Sequence, residues 1–120
     1  MNYSIQTLRG RRAVVLKWNG LIDIDGILDL REAVDSILAQ SIFDIVVDLS
    51  DVHVINSAAW GVFISKLPSL ERNNGCFRFA AMRPDVLQVF ELLGLARSDA
   101  TETYVDVSEA IQASATSVTP

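Results

Sequence analysis

The sequence predicts a single α/β domain, a mixed sheet of about four or five strands with about four helices. Three observations carry that prediction. The chain has 120 residues, half of them hydrophobic, which is enough for one core and leaves little for a second. Its apolar pattern has a period of two through residue 18 and changes to spacings of three and four from about residue 25. Beyond that point short β-branched runs alternate with helical stripes, and strands separated by helices favour a parallel sheet.

Residues 3–8 read as a first strand and Arg9-Gly10-Arg11-Arg12 as a turn. Residues 13–18 alternate, with Val14, Leu16 and Trp18 on one face and Ala13, Val15 and Lys17 on the other. So short a link makes the two strands an antiparallel hairpin, and Asn19-Gly20 ends the second strand. Ile27, Leu30, Val34, Ile37 and Leu38 form the stripe of a first helix ending near Gln40, with Asp23 or Asp25 placed to cap it. Residues 43–49 are a nearly continuous apolar run, as in an interior strand covered by helices, and stop at an acidic turn. A second helix follows Asn56-Ser57, with Trp60, Phe63, Ile64, Leu67 and Leu70 on one side. Pro68 should kink it or end its regular hydrogen bonding, and Asn73-Asn74-Gly75 stops it. Residues 76–81 are another strand. Pro84 opens a third helix carrying Val86, Val89, Phe90 and Leu93, and Gly94 ends it. Residues 104–105 read as a short edge strand and 108–113 as a last helix. The domain is thus expected to span residues 1–113, with 114–120 a flexible C-terminal tail.

The formal net charge of −5 disfavours phosphate backbones and anionic membranes, so nucleic acid is not an expected partner. Arg9, Arg11 and Arg12 read as a solvated hairpin tip. The single cysteine, Cys76, excludes an internal disulfide and suits a reducing cytoplasm as a small core residue. No run approaches the roughly 18 apolar residues that a membrane helix needs, so membrane insertion is not expected and the location is read as cytoplasmic.

Nucleophilic catalysis needs a nucleophile, a base and an orienting group. The only histidine is His53, just after the acidic turn, and no His, Cys, Asp and Glu set has metal-ligand spacing. No glycine pattern fits a phosphate or dinucleotide loop. Asp23, Asp25, Asp29, Glu32 and Asp35 read as a cap and the wet face of the first helix. The expectation is a non-enzymatic protein with no catalytic residue, metal or cofactor. Ser57 is then either a cap or first-turn residue, or a modification site where a phosphate would face the positive end of a helix. Asn56 could equally be the cap. Ala58 and Ala59 leave room for a partner, and Trp60 is core if it joins the helix stripe or an anchor if it projects outward.

Several motifs in order resemble the STAS domain family, over residues 3–112. Gly20-Leu21-Ile22-Asp23 looks like that family's Gly-x-x-Asp, and Ile45-Val46-Val47-Asp48-Leu49-Ser50 resembles its strand ending in Asp-Leu-Ser. Asn56-Ser57-Ala58-Ala59-Trp60-Gly61 falls where the family typically has Asp-Ser-Ser-Gly-Leu-Gly. Pro84-Asp85-Val86 through Glu91-Leu92-Leu93-Gly94-Leu95 resembles its third helix and Ser108-Glu109-Ala110-Ile111 its last. The resemblance implies a regulatory protein of the anti-sigma factor antagonist branch, bound to an anti-sigma factor with serine kinase activity in a partner-switching cascade. It implies phosphorylation at Ser57, reversed by a phosphatase, and docking through Asp23, Ile24, Asn56, Ser57, Ala58, Ala59 and Trp60. Asn56 in place of the acid and Ala59 in place of the glycine depart from the pattern. The alternative is a constitutive adaptor, never phosphorylated, tied to an ABC transporter ATPase or a larger signalling complex. A hydrolase or ligand-binding enzyme is a third reading, which a polar pocket would favour.

Overall fold

In a computed structural model, which describes the backbone of residues 2–117 and the side chains as far as residue 114, the chain runs through five strands and four helices. In order they are β1 (Tyr3–Thr7), β2 (Ala13–Asn19), α1 (Ile24–Ala39), β3 (Asp44–Asp51) and α2 (Ser57–Arg72). Then come β4 (Cys76–Ala80), α3 (Pro84–Leu92), a 3-10 turn (Leu95–Arg97), β5 (Thr101–Tyr104) and α4 (Val107–Ser117). The strands form one sheet in sequence order, with β1 antiparallel to β2 and every later neighbour parallel. The expected hairpin and mixed sheet are both present.

Side-chain alternation divides the sheet into two covered faces. Val14, Leu16, Trp18, Ile45, Val47, Leu49, Phe77 and Phe79 share one core with buried residues of α1, α2 and α3. Phe63 sits between Phe77 and Phe79, each ring 5.2 Å away and nearly perpendicular, and Trp60 and Phe90 flank the same group. On the opposite face Val15, Val46 and Ala80 pack under Ala110 of α4. This second layer explains why Ala13 and Val15 are buried as well as their neighbours. Strict alternation in β2 therefore marks two cores, not one core and a wet face.

Several ends differ from expectation. Strand β3 continues through Asp51, so the acidic residues expected in a turn belong to the strand. Asp48 is buried there, and its Oδ1 accepts the Ser50 amide at 3.0 Å. Helix α2 continues past Pro68, because the proline lies on the solvent side and Leu70 beyond it is fully buried. In α3 only Val86 and Phe90 are buried, while Val89 and Leu93 are 39% and 45% exposed. The last strand is Thr101–Tyr104, and Val105, expected to pair, is exposed. Helix α4 reaches Ser117, so the first residues of the expected tail are helical. Ser114 is fully buried and donates to Asp44 Oδ2 at 2.7 Å, which anchors the helix; residues 118–120 of that tail lie outside the described residues. The hairpin tip is also tied down. Arg11 donates to the Ile111 carbonyl at 3.2 Å, and Arg12 to the Gln40 carbonyl at the end of α1 at 2.7 Å.

Cys76 is buried at the start of β4, and that burial pushes its thiol up to about 12. Burial first, and then a hydrogen bond to Glu102, also raises the Tyr104 phenol to about 12. Both groups are held protonated in the fold and ionise more readily once unfolded. Their contribution is therefore complete below about pH 8.5, where the unfolded thiol begins to ionise, and is lost as pH rises toward 12. Urea unfolding midpoints should fall steadily over that range. A thiol reagent at pH 8 should modify Cys76 only at the rate of unfolding.

Candidate functional site

The candidate residues collect at one end of the sheet, where the carboxyl ends of β2 and β3 feed α1 and α2. The connection after β2 is laced to the connection after β3. Gly20 donates its amide to Asp51 O, Ile22 donates to Val54 O at 3.0 Å, and Asn56 donates to Ile22 O at 2.8 Å. Ile22 and Ile55 thereby form a parallel bridge. Gly20 takes a left-handed backbone (φ 88°), which turns the chain out of β2 and into this lacing. The bond from Asn56 to Ile22 sets two helix starts side by side, with Asp23 and Ile24 opening α1 and Asn56 and Ser57 opening α2.

Each helix start is capped by the residue before it. Asp23 Oδ1 accepts the Gly26 amide at 3.1 Å, and α1 then passes so close to the Trp18 ring that a Cβ on Gly26 would sit 3.1 Å from it. Asn56 Oδ1 accepts the Ala58 amide at 2.8 Å, while its carbonyl accepts those of Ala59 and Trp60 at 2.9 and 3.2 Å. Asn56 is thus the cap and Ser57 the first helical residue. Among the described residues the Ser57 amide has no acceptor, so one N–H at the positive end of α2 points out beside its own hydroxyl. Asn56→Ala should cost about 1 kcal/mol, since an alanine cannot accept the Ala58 amide. Asn56→Asp keeps the acceptor and adds a charge that the helix end favours, so it should be neutral or stabilising by about 0.3–1 kcal/mol. Urea unfolding of the two variants separates these outcomes.

Ser57 and Ala58 are exposed and Asn56 is half-buried. Ile24, 73% exposed, stands at the first position of α1. Ala59 and Trp60 differ from expectation as docking residues. Both are in the core, at 0% and 1% exposure, and the Trp60 ring packs against Phe63, Phe79 and Phe90. Their place in the helix stripe turns them inward, so they shape this surface from beneath. In their stead the structure brings up Leu21 and Val54, 55% and 59% exposed on the two laced loops. Nothing in the pattern marked them, because each adjoins a residue just as apolar that is buried or half-buried, Ile22 and Ile55.

A shallow cleft of about 170 Å³ lies next to this surface, lined by His53, Val54, Ile55, Trp60, Asp85 and Val89. Its walls are mainly apolar, which suits a partner's side chain better than a polar substrate. Asp23 and Asp25 stand in the cap and first turn of α1, and α3 opens with Arg83 at its cap and Asp85 in its first turn, so charges of both signs flank this end. Among the described residues no group of three or more His, Cys, Asp or Glu side chains could hold a metal. No described helix is long and apolar enough to cross a membrane.

A family model for the STAS domain matches residues 4–110. The anti-sigma-B factor antagonist of Staphylococcus aureus is 25% identical over 95 residues, which cover 79% of this chain and 88% of that protein. The crystal structure of an anti-sigma factor antagonist from Mycobacterium paratuberculosis superposes with a TM-score of 0.81 at 23% identity, covering 94% of this chain and 92% of the other. The Bacillus cell fate determinant SpoIIAA in its phosphorylated form superposes with a TM-score of 0.71 at 19% identity, covering 92% and 96%. The fold is that of the anti-sigma factor antagonists.

Proposed function

We propose that this chain, which belongs to the STAS domain family, is a regulatory protein that docks an anti-sigma factor with serine kinase activity and is released when Ser57 is phosphorylated. The observation that carries this reading is the position of Ser57. It is exposed at the first turn of α2, with an unused amide beside its hydroxyl and exposed Ala58, Ile24, Leu21 and Val54 around it. The apolar side chains and the neighbouring cleft supply area to be buried against a partner, and Asp23 and Asn56 supply polar edges. Ala59 and Trp60 contribute by fixing the helix that presents Ser57.

Phosphorylation acts here through charge. A phosphoserine brings about −1.5 to −2 charges at neutral pH. One N–H and the helix dipole receive it, but Asp23, at the cap of the neighbouring α1, adds repulsion. Free in water such a group is tolerated, whereas in a closed interface with no cation opposite it opposes binding. A phosphatase resets the switch. That the similar Staphylococcus aureus protein is an anti-sigma-B factor antagonist, and that the structurally similar SpoIIAA has a phosphorylated form, supports the reading.

The alternative, a constitutive adaptor for an ABC transporter ATPase or a larger signalling complex, draws on Asn56. Its neutral amide already caps α2, so the helix start needs no acid and lacks the charge next to the acceptor. Incubation with the partner kinase and ATP separates the two readings. The switch predicts one phosphate, mapped to Ser57 and absent from Ser57→Ala. An intact mass free of phosphate, both in that reaction and from native cells under every growth condition, supports the adaptor.

A further inference from the structure

We propose that two copies of this chain associate through the open edge of β1, joining their sheets across a twofold axis at Ile5. Among the described residues β1 stands at one end of the strand order and so has a partner on one side only. Its pairing with β2 fixes which backbone groups are free. Asn19 donates its amide to Asn2 O at 2.7 Å and Leu8 donates to Ala13 O at 2.9 Å. Both contacts obey the register that pairs Ser4 with Lys17 and Gln6 with Val15. In an antiparallel ladder hydrogen-bonded and non-hydrogen-bonded pairs alternate. Asn2, Ser4, Gln6 and Leu8 therefore turn their amides and carbonyls toward β2, and Tyr3, Ile5 and Thr7 turn theirs outward.

That outward row is complementary to itself. Laid antiparallel against a second copy with Ile5 opposite Ile5, it sets Tyr3 of each copy opposite Thr7 of the other. Three outward donors per copy then give about six new backbone hydrogen bonds. The two Ile5 side chains, each 39% exposed in the single chain, become direct cross-strand neighbours on the Trp18 face of the sheet.

The strand also lacks the usual safeguards of a sheet edge. Tyr3-Ser4-Ile5-Gln6-Thr7 contains no charge, no proline and no bulge. The other edge, β5, is shorter and carries Glu102, whose side chain is 52% exposed, so a second copy would bring like charges together there. A second copy is the occupant favoured for β1 because the outward row matches itself in register, donor count and side-chain type. The proposal does not depend on the docking reading, since the β1 edge and the start of α2 are different surfaces.

An interface of one strand pair is small, so the dimer should form at micromolar to millimolar protein. Sedimentation of the full chain across that range should show the mass rising from that of one chain toward two, with slowed exchange of the Ile5 amide at high concentration. Ile5→Lys sets like charges face to face and should weaken association at least tenfold. Ile5→Pro removes an outward donor that β2 does not use, so it should do the same while circular dichroism stays that of the wild type. Ile5→Lys alone decides if the proline variant is misfolded. A single-chain mass up to about 1 mM overturns the proposal, whatever other strand the edge then accepts. A dimer that the folded Ile5 variants leave intact overturns it as well.

Discussion

Gly75→Ala is expected to destabilise the protein by about 3 kcal/mol, although it adds only one methyl group. A Cβ at this position would overlap the Phe43 carbonyl oxygen and lie 2.6 Å from the Phe43 Cβ. Neither can step aside. The same carbonyl accepts the Cys76 amide at 2.8 Å where β4 starts to pair with β3, and the Gly75 amide itself closes α2 by donating to Leu70 O at 2.7 Å. The backbones of residues 43 and 75 must touch for the central strands to register, and only glycine permits it. Gly61→Ala is the contrasting control. Nothing lies within 4 Å of a Cβ there, and the position is exposed within α2, so the substitution should stabilise by about 0.5–1 kcal/mol. Urea unfolding of the two variants should give opposite signs.

Arg78→Ala should cost roughly 3–5 kcal/mol. Arg78 is 5% exposed on β4, under α4. Its Nε donates to Asp44 at 2.9 Å, and its Nη1 to Glu102 at 2.6 Å and to the Tyr104 hydroxyl at 2.9 Å. Burial opposes the charge, but Asp44 and the hydrogen bond to Tyr104 favour it, and the guanidinium stays charged. Without it the Asp44 carboxylate stays largely covered with no cation, and Ser114, which holds α4 through the other Asp44 oxygen, rests on an uncompensated charge. The loss should therefore appear first in α4, as faster amide exchange of residues 107–113 before the rest of the domain opens. Uniform acceleration over the whole chain would place the effect in the sheet instead.

These two sites also show where the sequence is legible. Element order can be read because each segment keeps its own period: two in residues 13–18, three and four in residues 27–38, and an unbroken apolar run at 45–49. Site position follows from the same reading, since a buried strand ending just before Asn56-Ser57 must deliver them to the start of a helix. What escapes is whatever a second element decides. Arg78 reads as an ordinary polar residue in a short strand until Asp44, Glu102, Tyr104 and α4 converge on it from distant parts of the chain. Helix α4 offers few apolar residues, so neither its length nor its cover over Val15 and Val46 is visible in advance. Asn56 and Ser57 are equally good caps by residue type, and only the geometry selects Asn56. Ala59 and Trp60 belong by motif to the docking stretch but by helical spacing to the core, and the packing of Phe63, Phe79 and Phe90 settles that conflict in favour of the core.

If Ser57 at the start of α2 controls docking, it does so through the charge that a phosphate adds to it. Titration calorimetry of the partner kinase with wild type, Ser57→Ala and Ser57→Asp tests it most directly. Ser57→Ala should bind within about threefold of wild type, since it removes one exposed hydroxyl, and Ser57→Asp at least about 100-fold more weakly, since it places a charge in the interface. A Ser57→Asp protein that holds the kinase as tightly as wild type would contradict it.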